Sequence, residues 1–260
     1  MVSLVKNGAR IPHGKVNRNA RGDKTRARIL SVAERLFSEY GIDGVSMRTL
    51  AARSKVNLAA VHYYFGSKEA LFEEMFARRA RVITEKRLKM LAECRPDPGR
   101  PSLVNQILEA FLRPVLEDDR EGGGRAYARI RTRLAAERSA RARNLPSRFF
   151  DDSSHRFLDA LADALPHLSA EELYWRFNIM LGAMYFTIAN PARIEYLSKG
   201  LVDMSDEDRK ISYLVDFFGR AFSADPLSLK TARKRDKMQV GSRTSRSGEP
   251  ASVNPCRRPL

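Results

Sequence analysis

The chain has 260 residues, 43% of them hydrophobic and 30% charged, which is length enough for one large or two small globular domains with a buried core. Its formal charge of +16 is unevenly placed: residues 1–70 carry 13 Lys and Arg against 5 Asp and Glu, residues 227–260 carry 9 against 2, and the long middle carries 25 against 24. That split excludes a uniformly basic protein and fits a polyanion-binding module joined to a neutral body.

Two distant cysteines, Cys94 and Cys256, provide neither a disulfide framework nor a metal-ligand spacing, which fits a reducing cytoplasm. The longest nearly apolar run, Ile179 to Ala189, is about half of what a bilayer span requires. The first residues contain charges but no apolar core segment, so neither a membrane association nor a signal peptide is expected.

Residues 1–22 contain five basic residues, no acid and no apolar period, and read as a flexible basic arm. A helical pattern begins at about Asp23, with Ile29, Leu30, Ala33, Leu36, Phe37 and Tyr40 on one stripe and Gly41 as the C-terminal cap. Lys24, Arg26 and Arg28 lie in its first turns, unfavourable for the helix dipole but useful beside phosphate.

Ser46 is a good N-cap for a short helix from Met47 to Arg53, and Asn57 for another from Leu58 to Tyr64. The turn Ser54-Lys55-Val56 joins them, with Val56 as its apolar plug. Gly66 breaks the second helix and Ser67 caps a long third one from Lys68 to about Ala92, whose inner face opens with Leu71, Phe72, Met75 and Phe76. Two short helices across a tight turn form the helix-turn-helix arrangement that places a recognition helix in the DNA major groove.

After the loop Arg95 to Pro101, helices are predicted at about 102–118, 125–143 and 147–165, with Pro146 and Pro166 as punctuation. Ser169 and Glu172 form a capping box that opens a helix to about Asn190, apolar nearly all round and so expected to be buried on more than one side. Ser205 caps a last helix to about Phe222, with Ile211, Leu214, Val215, Phe218 and Phe222 inward. No window has a strand period, so the fold is read as all-α. From residue 227 onward a basic, Ser- and Gly-rich tail is expected to be disordered.

The first helix, Ser46, the Leu50-Ala51 pair, Val56-Asn57, the run Tyr63-Tyr64-Phe65-Gly66-Ser67-Lys68 and Leu71, in that order, resemble the tetracycline-repressor (TetR) family of bacterial transcription regulators over residues 24–75. The resemblance implies an N-terminal three-helix helix-turn-helix DNA-binding domain (23–70) followed by a helical ligand-binding and dimerisation domain (71–226). The partners it implies are a double-stranded DNA operator, a second copy of the chain and a small-molecule effector.

Two positions depart from the family pattern. Lys55 stands where Gly is common, at a cost of about 1 kcal/mol if φ is positive, and His62 stands where Tyr is common. By the family's docking pattern Ser46, Arg48, Thr49, Lys55, Asn57, Leu58, Ala59, Ala60, His62, Tyr63 and Lys68 are the candidate DNA contacts. Arg48 suits a guanine edge, while Leu58, Ala59 and Ala60 offer bases only methyl groups. Lys68 has the best position for phosphate, in the first turn of a helix whose free N–H groups also favour an anion.

In the body, the last two long helices correspond to the family's dimer bundle. Phe177, Met180, Met184 and Tyr185 are candidates for lining an effector pocket, with plain core packing as the simpler reading. Arg129 and Arg133, on one helical face, are candidates for an anionic head group, with a solvated face as the simpler reading. No nucleophile–base pair, metal spacing or phosphate-cradling glycine loop is present, so no cofactor and no enzymatic activity are expected. The competing reading keeps the DNA-binding module but places it under partner proteins instead of a ligand.

Overall fold

The computed structural model describes residues 14–99, 101–117, 124–137 and 139–226, with only the backbone of 14–21 and 141–143. The expected tail at 227–260 and the first part of the expected arm lie outside the described residues. These residues form ten helices: α1 (Gly14–Tyr40), α2 (Met47–Arg53), α3 (Leu58–Phe65), α4 (Lys68–Ala92), α5 (Leu103–Glu117), α6 (Gly124–Ala136), α7 (Ala140–Ala164), α8 (Ala170–Ala189), α9 (Pro191–Leu197) and α10 (Glu207–Ser223).

Local chemistry sets most of the helix ends. Ser46 Oγ accepts from the Thr49 N–H, Asn57 Oδ1 from Ala60, Ser67 Oγ from Ala70 and Ser169 Oγ from Glu172, each satisfying a donor that the first turn leaves free. Gly41, at φ 73°, closes α1 with its N–H on the Phe37 carbonyl.

Several boundaries differ from the sequence reading. α1 starts at Gly14 rather than Asp23, so part of the expected arm is helical; no proline interrupts 14–40, and backbone bonding continues without an apolar stripe. Tyr40, read as inward, is 59% exposed at the fraying end of α1. α6 stops at Ala136, short of 143, and α7 begins at Ala140 with Pro146 inside it. A proline there removes one backbone bond near the helix start, which the rest of a long helix outweighs. Pro191, read as a stop, instead opens the short α9, where its fixed φ suits the first helical position. Asp206 rather than Ser205 caps α10, because Ser205 bonds to the Asp203 carboxylate.

α5 is the central rod of the body, burying Val104, Ile107, Leu108, Ala110, Phe111, Leu112, Val115 and Leu116. It packs on α4, α7 and α10. The approach of α10 is close because Gly219 faces Asn105, where a Cβ would collide with the amide. Arg113 fastens the same pair from outside, bonding Glu109, Glu117 and Asp208.

α8 and α10 are tied by Arg176. It is buried against Glu172 at 2.8 Å and donates to the carbonyls of Ala221, Phe222, Ala224 and Asp225, so one guanidinium satisfies the C-terminal end of α10. The expectation that α8 is enclosed on more than one side does not hold within one chain. Leu173, Phe177, Met180, Met184 and Ile188 are buried, while Tyr174, Trp175, Ile179 and Phe186 face outward.

The boundary expected at 70/71 falls inside α4. The first turns of α4 pack with α1 and α3, and it continues along α5 and α7 into the body. Leu71, Phe72, Met75 and Phe76 bury themselves against the Ile29 to Phe37 stripe of α1, with Phe37 and Phe72 edge to face at 5.3 Å. One hydrophobic core therefore runs from the helix-turn-helix end into the body.

Candidate nucleic-acid interface

α2 and α3 cross over a core of Leu50, Ala51, Val61 and Phe65, all buried. Between them the chain reverses in three residues. The Ser54 N–H bonds the Leu50 carbonyl at 2.9 Å, Lys55 bonds Ala52 and Val56 bonds Ala51, both at 3.1 Å. Lys55 sits at φ 52°, the left-handed conformation that its side chain disfavours. Its side chain is exposed, and Val56 is half-buried against the core.

Most of the candidate contacts lie at the surface. Ser46, Arg48, Thr49, Lys55, Asn57, Ala59, His62 and Tyr63 are exposed, while Leu58, Ala60 and Lys68 are half-buried. Leu58 packs in part against the core, so it offers less to a base than its position in the sequence suggested. Tyr63 is the most prominent member at 84% exposed, its ring held edge to face against Tyr64 at 5.3 Å. His62 Nδ1 lies 2.9 Å from the Gly66 carbonyl. The carbonyl can only accept, so Nδ1 is the donor, and the contact fixes the imidazole at the end of α3.

Gly66 makes the corner between α3 and α4 at φ 71°, where any side chain would strain the backbone. Ser67 and Lys68 follow at the start of α4. Behind them, Arg26 of α1 lies 5.6 Å from the Phe65 ring centroid and pairs with Glu74 at 2.6 Å. Of the first-turn cations of the sequence reading, Arg26 thus braces α3 and α4, while Lys24 and Arg28 remain exposed. Capped helix starts, a tight turn and exposed cations thus come together at this end of the chain.

The sequence model of the family described as "Bacterial regulatory proteins, tetR family" matches residues 29–75, and that of the "Tetracyclin repressor-like, C-terminal domain" matches 109–219. The chain belongs to the TetR family. Its similarity to characterised members is partial. It is 28% identical over 109 residues to the HTH-type transcriptional dual regulator CecR of Shigella flexneri, covering 38% of this chain and 48% of that protein. It is 33% identical over 98 residues to the regulator AcrR of the same organism, covering 37% and 44%. The chain therefore matches about half the length of these curated relatives. Among solved structures, the TetR family regulator PfmR of Thermus thermophilus shares the fold at a TM-score of 0.53 and 17% identity, over 75% of this chain and 97% of that one. A TetR-like regulator from Rhodococcus sp. RHA1 does so at 0.50 and 19%, over 77% and 97%.

The expected effector residues of this TetR chain do not come together. Phe177, Met180 and Met184 are buried in α8 and Tyr185 is half-buried beside them, but Arg129 is exposed on α6. Arg133 donates to the Glu39 carbonyl at 2.7 Å and is committed to the end of α1. Two arginines that reach the interior beside α8, Arg87 and Arg131, were not singled out by the sequence reading. A signal for Arg87 existed, since it continues the Phe76, Ala80, Ile83 stripe of α4 at helical spacing.

Proposed function

We propose that this TetR family member is a sequence-specific repressor that binds an operator as a homodimer and is released by a small, partly apolar effector. The outward surface of α2, the turn and α3 carries the reading. It has the helix-turn-helix geometry, its flanking segment is net positive, and its side chains suit both kinds of DNA contact. Arg48 reads a guanine edge, Tyr63 and Ala59 reach bases, and Ser46, Thr49, Lys55, His62 and Lys68 hold phosphates. Asn57 is committed as a cap through Oδ1, and its amide nitrogen is left for DNA.

Dimerisation is supported by the outward face of α8 and α10. Trp175, Ile179 and Phe186 lie along α8 at helical spacing, and Tyr213 and Phe217 lie on α10. Between these two helices and α9 runs a mostly apolar groove of about 690 Å³. A continuous apolar face of this kind marks a protein–protein contact, and a second copy supplies the second half-site that one short recognition helix needs.

The test is a gel-shift and footprinting assay with genomic fragments. A protected pair of half-sites is expected, and Arg48→Ala is expected to weaken specific binding about tenfold or more without lowering the melting temperature. Binding without sequence preference would overturn the reading.

A further inference from the structure

Besides Arg176, which is paired with Glu172, two arginines reach into the interior of the body. Arg87, on α4, is 1% exposed. Its Nε donates to the Phe111 carbonyl at 2.8 Å, its guanidinium carbon lies 3.6 Å from the Phe111 ring centroid, and Nη2 reaches Met184 Sδ at 4.0 Å. Arg131, on α6, is half-buried, but its Nε is enclosed and has no hydrogen-bond partner. Tyr127, one turn earlier on α6, is completely buried, and its hydroxyl also has no partner.

The two guanidiniums converge on one ring, with Arg87 at 5.9 Å and Arg131 at 5.1 Å from the Phe150 centroid. The ring centroid of Tyr185 of α8 lies 5.0 Å from the Arg131 guanidinium carbon. Among the described residues neither arginine forms an ion pair. Asp151, the acid whose charge reaches Arg131, is itself exposed.

A core assembled only for stability pairs its buried charges and satisfies its polar atoms. Here two cations, an orphan phenol and an orphan N–H meet in one place, walled by Phe76, Phe111 and Phe150. The Arg131 Nε–H can only donate and the Tyr127 hydroxyl can donate, so an acceptor carrying negative charge complements both. A carboxylate matches the planar fork of a guanidinium and still accepts from a phenol. The aromatic walls suit a compact apolar body attached to it.

We infer that Arg87, Arg131 and Tyr127 form the effector site, and that it takes a small organic carboxylate. This rests on the reading of the chain as an effector-released regulator. The Phe111 wall of the cluster packs on Phe177 of α8 at 5.0 Å, and Phe177 also lines a hollow of about 310 Å³ between α7 and α8.

The test uses the full chain without DNA, so its outcome is independent of operator binding, which a gel shift on the same preparation measures separately. Thermal melts and calorimetric titrations are run with benzoate and cyclohexanecarboxylate, and with benzylamine and inorganic phosphate as contrasting probes. Both carboxylates are expected to raise the melting temperature in a dose-dependent way, and benzylamine and phosphate to leave it unchanged. Arg131→Gln and Tyr127→Phe are each expected to weaken carboxylate binding about tenfold, the loss of one charge-assisted hydrogen bond. Tyr127→Phe removes only an orphan hydroxyl, so its fold is retained if Arg131→Gln does not fold. No carboxylate response at millimolar concentration, a response undiminished in Tyr127→Phe, or a response to phosphate alone would overturn the inference.

Discussion

Lys55 holds φ 52° at the tip of the turn between α2 and α3, and a lysine does so only against a backbone penalty of about 1 kcal/mol relative to glycine. Lys55→Gly is therefore expected to stabilise the fold by up to about that amount, while weakening DNA binding through loss of a phosphate contact. Thermal melts and gel shifts on the same variant separate the two effects. Arg87 makes the complementary case inside the body. Burial is the largest influence on its guanidinium and, with Arg131 adding to it, lowers its pKa to about 10. The sign follows from linkage: the unfolded chain binds the proton more tightly, so the buried charge destabilises the fold at neutral pH, and that destabilisation fades as pH rises above about 10. Arg87→Met, beside Met184, is expected to gain about 1–3 kcal/mol at neutral pH, with the gap to the native chain closing above pH 10 in denaturant titrations. At this scale the caps were legible in the sequence, because Ser46, Asn57 and Ser67 act on backbone groups three residues away. Arg87 was not, because a charged side chain on a helix is read as outward unless its neighbours on the same stripe are weighed against its charge.

Helix α8 reconciles two demands that its sequence leaves superimposed. One face, through Leu173, Phe177, Met180 and Met184, belongs to the chain's own core, and the opposite face, through Trp175, Ile179 and Phe186, belongs to none of it. An apolar pattern on all sides establishes burial but does not say by what; only the packed structure separates what the chain covers from what a second copy would. Ile179→Glu is expected to leave folding intact and to convert a dimer into a monomer, read by light scattering. Loss of secondary structure in that variant would instead count Ile179 as core. The boundary errors share a physical origin. Pro146 and Pro191 both read as stops in the sequence, although proline opposes a helix only where its missing N–H or its ring meets a preceding turn. Ser205 and Asp206 are adjacent and both able to cap, and the choice between them depended on Asp203 engaging the serine.

For the molecule as a whole, the neutral body and the basic DNA-facing end are joined by α6 as well as by α4. Arg133 caps the last turn of α1 from α6 through the Glu39 carbonyl, while Glu34 of α1 pairs with Arg79 of α4 at 2.8 Å. Arg131 and Arg133 lie two residues apart on α6, so on the proposed effector site a displacement of α6 there is expected to be passed to α1. Arg133→Ala is expected to retain operator affinity within a few fold but to lose most of its response to effector, measured as the effector concentration that releases half of the bound DNA. Unchanged release would locate the coupling in α4 alone. The charge asymmetry and the two-part organisation were legible from composition, because net charge needs no structure. The contact between α6 and α1 was not, since Arg133 and Glu39 are remote in sequence and meet only once α6 crosses α1.

Trp175 is the single tryptophan of the chain, and it stands 58% exposed on the outward face of α8. On the proposed pairing through α8, its indole fluorescence gauges subunit association: emission from the separated chain is expected toward the red, as for a wet indole, and is expected to move to the blue when a second α8 covers the ring. The helix-turn-helix end contains no tryptophan, so the same signal is blind to bases and phosphates, and assembly can be followed by light alone while DNA is present.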